Sequence, residues 1–347
     1  MDMTQITDER RERLTNLCKT LIDQKRAAVI VRPMENAEGF WFGSGTLSRN
    51  INGELSIFRS GDDGRSFDKI QSFSKADLSI DGKEVVSIEG SCLLSDSEGV
   101  KLYVSTEKKG IGYPAGLESY QKPDTGVWTI DVIKAESISG LRAENIMDFH
   151  ACEDPLYLHI KDPVAVPIGT ADITIVFCTH PFCRSSANSG LIIIKNGTDA
   201  PAQIDYDFFP RGFTWDVAIS RITDVMKVPQ IGKFALMPDT SLVFYDGGES
   251  LRKYEEHENA RRRPRGFSCE EIGGAAFMIS DNFHAIYRLS VNEPFFVSPH
   301  GTGSSRYIRT LVSEDGIYAT WQQSQPDLSQ PLVMNFLSMS EVEEILN

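Results

Sequence analysis

From Gly39 to Leu337 the chain is a succession of short apolar stretches, each ended by a turn rich in Gly, Asp, Asn or Ser. Stretches of this length and spacing read as strands. They group into units: 40–47, 55–58 and 69–73; 85–94, 101–105 and 127–132; 163–167, 173–178 and 191–194, opened near Phe149; 213–222, 233–237 and 241–245. Two shorter groups follow at 272–298 and 307–337. A sandwich exhausts its strands in about 100 residues, whereas five or six units of roughly 45 to 60 residues suit radial repetition. The expected fold is therefore all-β, a five- or six-bladed β-propeller forming one domain over 39–347.

Residues 7–26 break this rhythm. Thr7 can cap a helix, Asp8 and Glu9 suit its positive end, and Leu14, Leu17, Leu21 and Ile22 share one face. A strand over 27–33 follows, so 1–38 reads as a helix and a closing strand. Pairing Ala28–Val31 with the last unit would remove an exposed sheet edge. A short helix over 340–346 ends the chain.

A net charge of -14 and a pI near 5.0 argue against nucleic acid and anionic membrane as partners, because both demand clustered positive charge. The one basic run, 261–265, follows Glu255, Glu256 and Glu258 and reads as a solvated mixed-charge loop. The six cysteines include no C-x-x-C pair, so no disulfide framework, metal site or cofactor is expected. Neither an apolar run of membrane length nor a signal-like N-terminus is visible, and the expected location is cytoplasmic. Oligomeric state does not follow from the sequence.

Ser60-x-Asp62-x-Gly64-x-x-Phe67 is a turn between two strand-forming stretches. Asp62 can accept backbone N–H groups across a tight hairpin, Gly64 can supply positive φ, and Phe67 can pin the loop. The spacing resembles the Asp-box of sialidases and related β-propellers, a structural clasp. His159–Val166 resembles the Arg-Asp-Pro strand of five-bladed glycoside hydrolases such as invertases and arabinanases. Ile88–Ser91 and Cys269–Gly274 look like further acidic inner-strand positions of that group. Together these imply a propeller glycoside hydrolase with a carbohydrate substrate. Sialidases, however, carry an acid-base aspartate on a long loop before the hairpin, and here only Ser48–Gly53 joins the two. The resemblance offers only Arg32, Arg221 and Arg306 for a carboxylate-binding triad.

Glycoside hydrolysis uses two carboxyl groups flanking the scissile bond. The acids at strand positions are Glu89, Glu153, Asp154, Asp162, Asp216, Glu270 and Glu271. Asp162, Glu89 and Glu271 are the expected catalytic set. The resemblance makes Asp162, before Pro163, a transition-state stabiliser or pKa modulator. Glu89 interrupts an apolar strand, where an unpaired carboxylate is costly. Glu271 precedes the small-residue run 272–276. His150, His180, Trp215, Asp216, Arg306 and Tyr307 are expected to bind substrate. A lyase using His150 or His180 with Tyr307 beside a uronic acid, and a non-catalytic glycan-binding propeller, are the alternatives.

Overall fold

The structure is a computed structural model. It describes the chain except residues 1–5, 34, 39–40, 44–45, 49–53, 63–65, 81, 97, 196–200 and 249–270, and except the side chains of 41–43 and 46–48. Glu270, Cys269, Gly64 and the basic run 261–265 thus lie outside the described residues.

Helix α1 spans Asp8–Leu21, with Thr7 Oγ1 accepting the Arg10 N–H at 3.3 Å. It is shorter than the expected 7–26 because Asp23 Oδ1 captures the Lys25 and Arg26 N–H groups, turning the chain. Strand β1 (Ala28–Val31) follows. Next come two separate hairpins, β2 (Trp41–Gly43) with β3 (Thr46–Ser48) and β4 (Glu54–Arg59) with β5 (Asp68–Ser74).

Four four-stranded sheets follow the same plan, consecutive strands lying antiparallel. The first contains β6 (Val85–Asp96), β7 (Gly99–Lys108), β8 (Val127–Ala135) and β9 (Ile146–His150). The second contains β10 (His159–Ile168), β11 (Asp172–His180), β12 (Asn188–Ile194) and β13 (Pro201–Phe209). The third contains β14 (Ile219–Lys227), β15 (Thr240–Gly248), β16 (Glu271–Ile279) and β17 (Tyr287–Arg288). The fourth contains β18 (Ser305–Val312), β19 (Gly316–Gln323) and β20 (Leu332–Ser338), completed by β1 through pairs such as Ala28 with Met334. Helix α2 (Met339–Leu346) ends the chain behind a capping box between Ser338 and Glu341.

The count of blades is four among the described residues, which corrects the expected five or six. The 272–298 stretch makes no unit of its own: β16 pairs along β15, so it completes the third sheet. The 233–237 stretch is no strand, since a 3-10 turn occupies Gly232–Phe234. The first expected unit, 40–73, stays as two hairpins instead of one sheet.

Contacts within the chain divide it into two compact units, residues 1–38 with 208–347, and residues 39–207. In the former, Leu14, Leu17, Cys18 and Leu21 of α1 are wholly buried against Trp321, Val333 and Leu337 of the last sheet. Burying three leucines contributes roughly 2 kcal/mol each. Asn335 Nδ2 reaches the Thr20 and Leu21 carbonyls at 3.1 and 2.9 Å, satisfying two C-terminal acceptors of α1. In the latter, Leu55 and Phe73 of the second hairpin join Ile88, Leu102 and Ile133 in one core.

Candidate functional site

Within residues 39–207, the leading strands β6 and β10 run side by side. Each has an irregular register, between Glu89 and Ser91 and between Lys161 and Val164. Asp162 sits in the second irregularity with φ 56°, a conformation Asp tolerates better than most residues. Three hydrogen bonds hold it there. Its N–H donates to Ser105 Oγ at 2.7 Å, the Ser105 hydroxyl donates to the Gly90 carbonyl at 2.6 Å, and Asp162 Oδ1 accepts the Gly90 N–H at 2.9 Å. Position 90 must be glycine, since a Cβ there would lie 2.4 Å from Asp162 Oδ1.

Lys161 Nζ forms a close ion pair with Glu89 Oε2, lies 4.0 Å from Asp162 Oδ2, and rests over the Trp128 ring at 5.3 Å from its centroid. The structure thus brings two of the three expected catalytic acids to one lysine. Of the pair, Glu89 is the more accessible, its side chain 27% exposed against 4% for Asp162.

Beside this cluster His159 is wholly buried. Its Nδ1 accepts the Trp128 N–H at 3.3 Å, and Tyr113 Oη and Arg184 Nε stand 3.2 and 3.3 Å from Nε2. Burial first, and then the Arg184 charge, pull its pKa down to about 3. His180 pairs in register with His159 and has Nε2 3.4 Å from Cys178 Sγ. His150 lies elsewhere, on the outermost strand β9, stacked on Tyr206 and 3.1 Å from its hydroxyl. Burial lowers its pKa.

Within residues 1–38 and 208–347, a second cluster is built the same way from β14 and β18. Tyr307 occupies the irregularity of β18 with φ 57°, and its N–H donates to Asp246, 3.2 and 3.1 Å from the two carboxylate oxygens. Asp246, wholly buried on β15, also accepts Arg221 Nη2 at 2.7 Å. Burial pushes its carboxyl up to about 6 against the pull of the Arg221 charge, and Glu271 adds to the rise. Glu271 opens β16, the third strand of its sheet and not the first, yet its Oε2 reaches Arg221 Nη2 at 2.5 Å and Arg306 Nη1 at 2.9 Å. The Arg221 guanidinium lies 4.0 Å over the Tyr307 ring and donates to its hydroxyl at 3.1 Å. Arg306 Nε also donates to Gln322 Oε1 across the β18–β19 pair.

Other expected positions have structural occupations. Trp215 is wholly buried, stacked on Tyr245 and bonded through Nε1 to the Ser290 carbonyl at 2.8 Å, so it offers no face to a sugar. Asp216 is buried in an ion pair with Arg288 at 2.9 Å. Arg32 follows β1 at the opposite edge of the fourth sheet from Arg306 and does not join Arg221. Asp62 accepts the Ser60 hydroxyl at 2.9 Å, the Ser66 N–H at 2.9 Å and the Ser66 hydroxyl at 2.7 Å, holding its own turn. Lys161, Asp246 and Gln322 carry no motif. Only the register of strands distant in sequence exposes them.

No family model matches the sequence, and no curated protein matches it. Solved structures do match. A glycoside hydrolase superposes with a TM-score of 0.54 at 12% identity, covering 96% of both chains. An endo-arabinase from Bacteroides thetaiotaomicron gives 0.53 at 6% identity over 89% of this chain and 97% of that one. A thermostable family-43 glycoside hydrolase gives 0.50 at 9% identity over 88% and 91%. What is shared at these identities is the fold, an all-β propeller.

Proposed function

We propose that this protein is a glycoside hydrolase, a reading carried by a propeller fold shared along nearly its whole length with a glycoside hydrolase. The acids on its strand ends agree with that chemistry. Glu89 and Glu271 act as the reacting carboxyl groups, one as proton donor and the other as base or nucleophile. Asp162, locked on Gly90 and close to Lys161, positions the β6–β10 pair and tunes the charge around Glu89. Arg306 and Tyr307 contact the glycan. Arabinose-containing oligosaccharides are the first substrates to test, because one matched structure is an endo-arabinase.

One observation favours a second reading, a non-catalytic glycan-binding propeller: Glu89 is closed by Lys161, and Glu271 by two arginines. Turnover of arabino-oligosaccharides and chromogenic glycosides by E89Q, E271Q and D162N separates the two. The hydrolase reading expects E89Q and E271Q each to lose about 100-fold or more in kcat. Undiminished turnover in both variants would overturn this site, and saturable binding without turnover in the wild type would establish the second reading.

A further inference from the structure

Gln322 is wholly buried, and only half of its amide is used. Its Oε1 accepts from Arg306 Nε, while Nε2 has no hydrogen-bond acceptor among the described residues. A buried donor left without an acceptor lowers the stability of the ligand-free chain, so such groups are few in folded proteins and call for an explanation. Here the donor lies next to Arg306, whose side chain is 15% exposed, and Arg306 in turn contacts Glu271, 11% exposed. The unused N–H group therefore sits beneath the part of the cluster that reaches solvent.

We propose that Gln322 is a binding residue for a neutral sugar, its amide N–H donating to a ring hydroxyl oxygen. This rests on the glycan reading above and names the class of sugar. Charge decides between neutral and acidic ligands. Arg221 and Arg306 are already matched by Asp246 and Glu271, so no cation of the cluster is left over for a ligand carboxylate. The net charge of -14 adds a general repulsion of anions. A hydroxyl suits the seat better, because its oxygen accepts from Gln322 while its proton can go to the Glu271 carboxylate. A site built to hydrogen-bond a hydroxyl also rejects the analogue that lacks it.

The substitution Q322E keeps an oxygen for Arg306 and removes the N–H donor. Titration calorimetry with neutral arabino-oligosaccharides is expected to show affinity at least about tenfold weaker for Q322E than for the wild type. The unfolding temperature of Q322E should not fall. On the wild-type protein alone, a set of monodeoxy analogues should contain one that loses as much affinity as Q322E does, and that analogue should bind wild type and Q322E equally. Equal affinity of wild type and Q322E for the parent sugar, with a water found on the amide nitrogen, would overturn the assignment and leave the glycan reading intact. Tighter binding of uronic-acid oligosaccharides than of neutral ones would overturn the choice of sugar class. Absence of both binding and turnover for every glycan in the wild type would remove this proposal together with the function it rests on.

Discussion

His159 makes the stability of this protein depend on pH. In the folded chain its Nδ1 faces the Trp128 N–H, so a proton added at Nδ1 would set two donors against each other. Burial and the nearby Arg184 guanidinium act in the same direction, and the pKa falls from the ordinary 6.5 to about 3. A histidine depressed in this way contributes stability that is complete above pH 6.5 and is lost as pH falls toward 3, because the unfolded chain binds the proton first. From those two values, acidification from pH 7 to pH 5 costs about 2 kcal/mol. The substitution H159Q removes the titration, although it lowers stability by an amount that does not vary with pH. Urea unfolding of both proteins at pH 7, 6 and 5 should show their difference in stability shrinking by about 2 kcal/mol across the series. Other groups titrate alike in both proteins and cancel. The reasoning is refuted by a difference that stays constant with pH, or by an NMR titration in which the His159 ring protonates near pH 6.5.

Replacing Gly90 by Ala would drive a Cβ to 2.4 Å from Asp162 Oδ1 and break the bond between that oxygen and the Gly90 N–H. G90A should lose about 2–4 kcal/mol in chemical unfolding, and a loss below about 0.5 kcal/mol would mean the strands part easily at this point. N335A removes the amide that satisfies the Thr20 and Leu21 carbonyls at the end of α1. It should cost about 1–2 kcal/mol in urea unfolding, with faster amide exchange in the last turn of α1.

Much of the fold could be read from residues near one another in sequence. The α1 face of Leu14, Leu17 and Leu21 is packed as its spacing implies, and β1 closes the last sheet where its apolar run had no other partner. Strand β13 escaped because it is the outermost of its sheet: Pro201, Ala202, Gln203 and Ile204 are all exposed, so no alternation of apolar residues marks it. The blade count failed for a related reason. Blades differ in the length of their connections, and the segment between β15 and β16 is long enough to suggest a boundary that β-pairing then ignores.

The site was legible only in part, and the comparison of its two clusters explains why. In each, a residue near φ 57° interrupts a leading strand, its N–H held by a side chain from the second strand of the preceding sheet: Asp162 by Ser105, Tyr307 by Asp246. The residue just before it is a cation reaching a glutamate, Lys161 to Glu89 and Arg306 to Glu271. The device is one of backbone shape, so sequence identity is free to vary: a small hydroxyl does in one cluster what a buried carboxylate does in the other. Asp246 carries a further requirement that Ser105 does not, because a buried carboxylate must be matched, and Arg221 meets it. Arg221 is then available to Glu271 as well, which explains how an acid on a third strand is drawn to residues of two leading strands. A motif search finds Asp162 because Pro163 follows it. It cannot find Tyr307, whose place is fixed by a hydrogen bond to a residue sixty-one positions earlier.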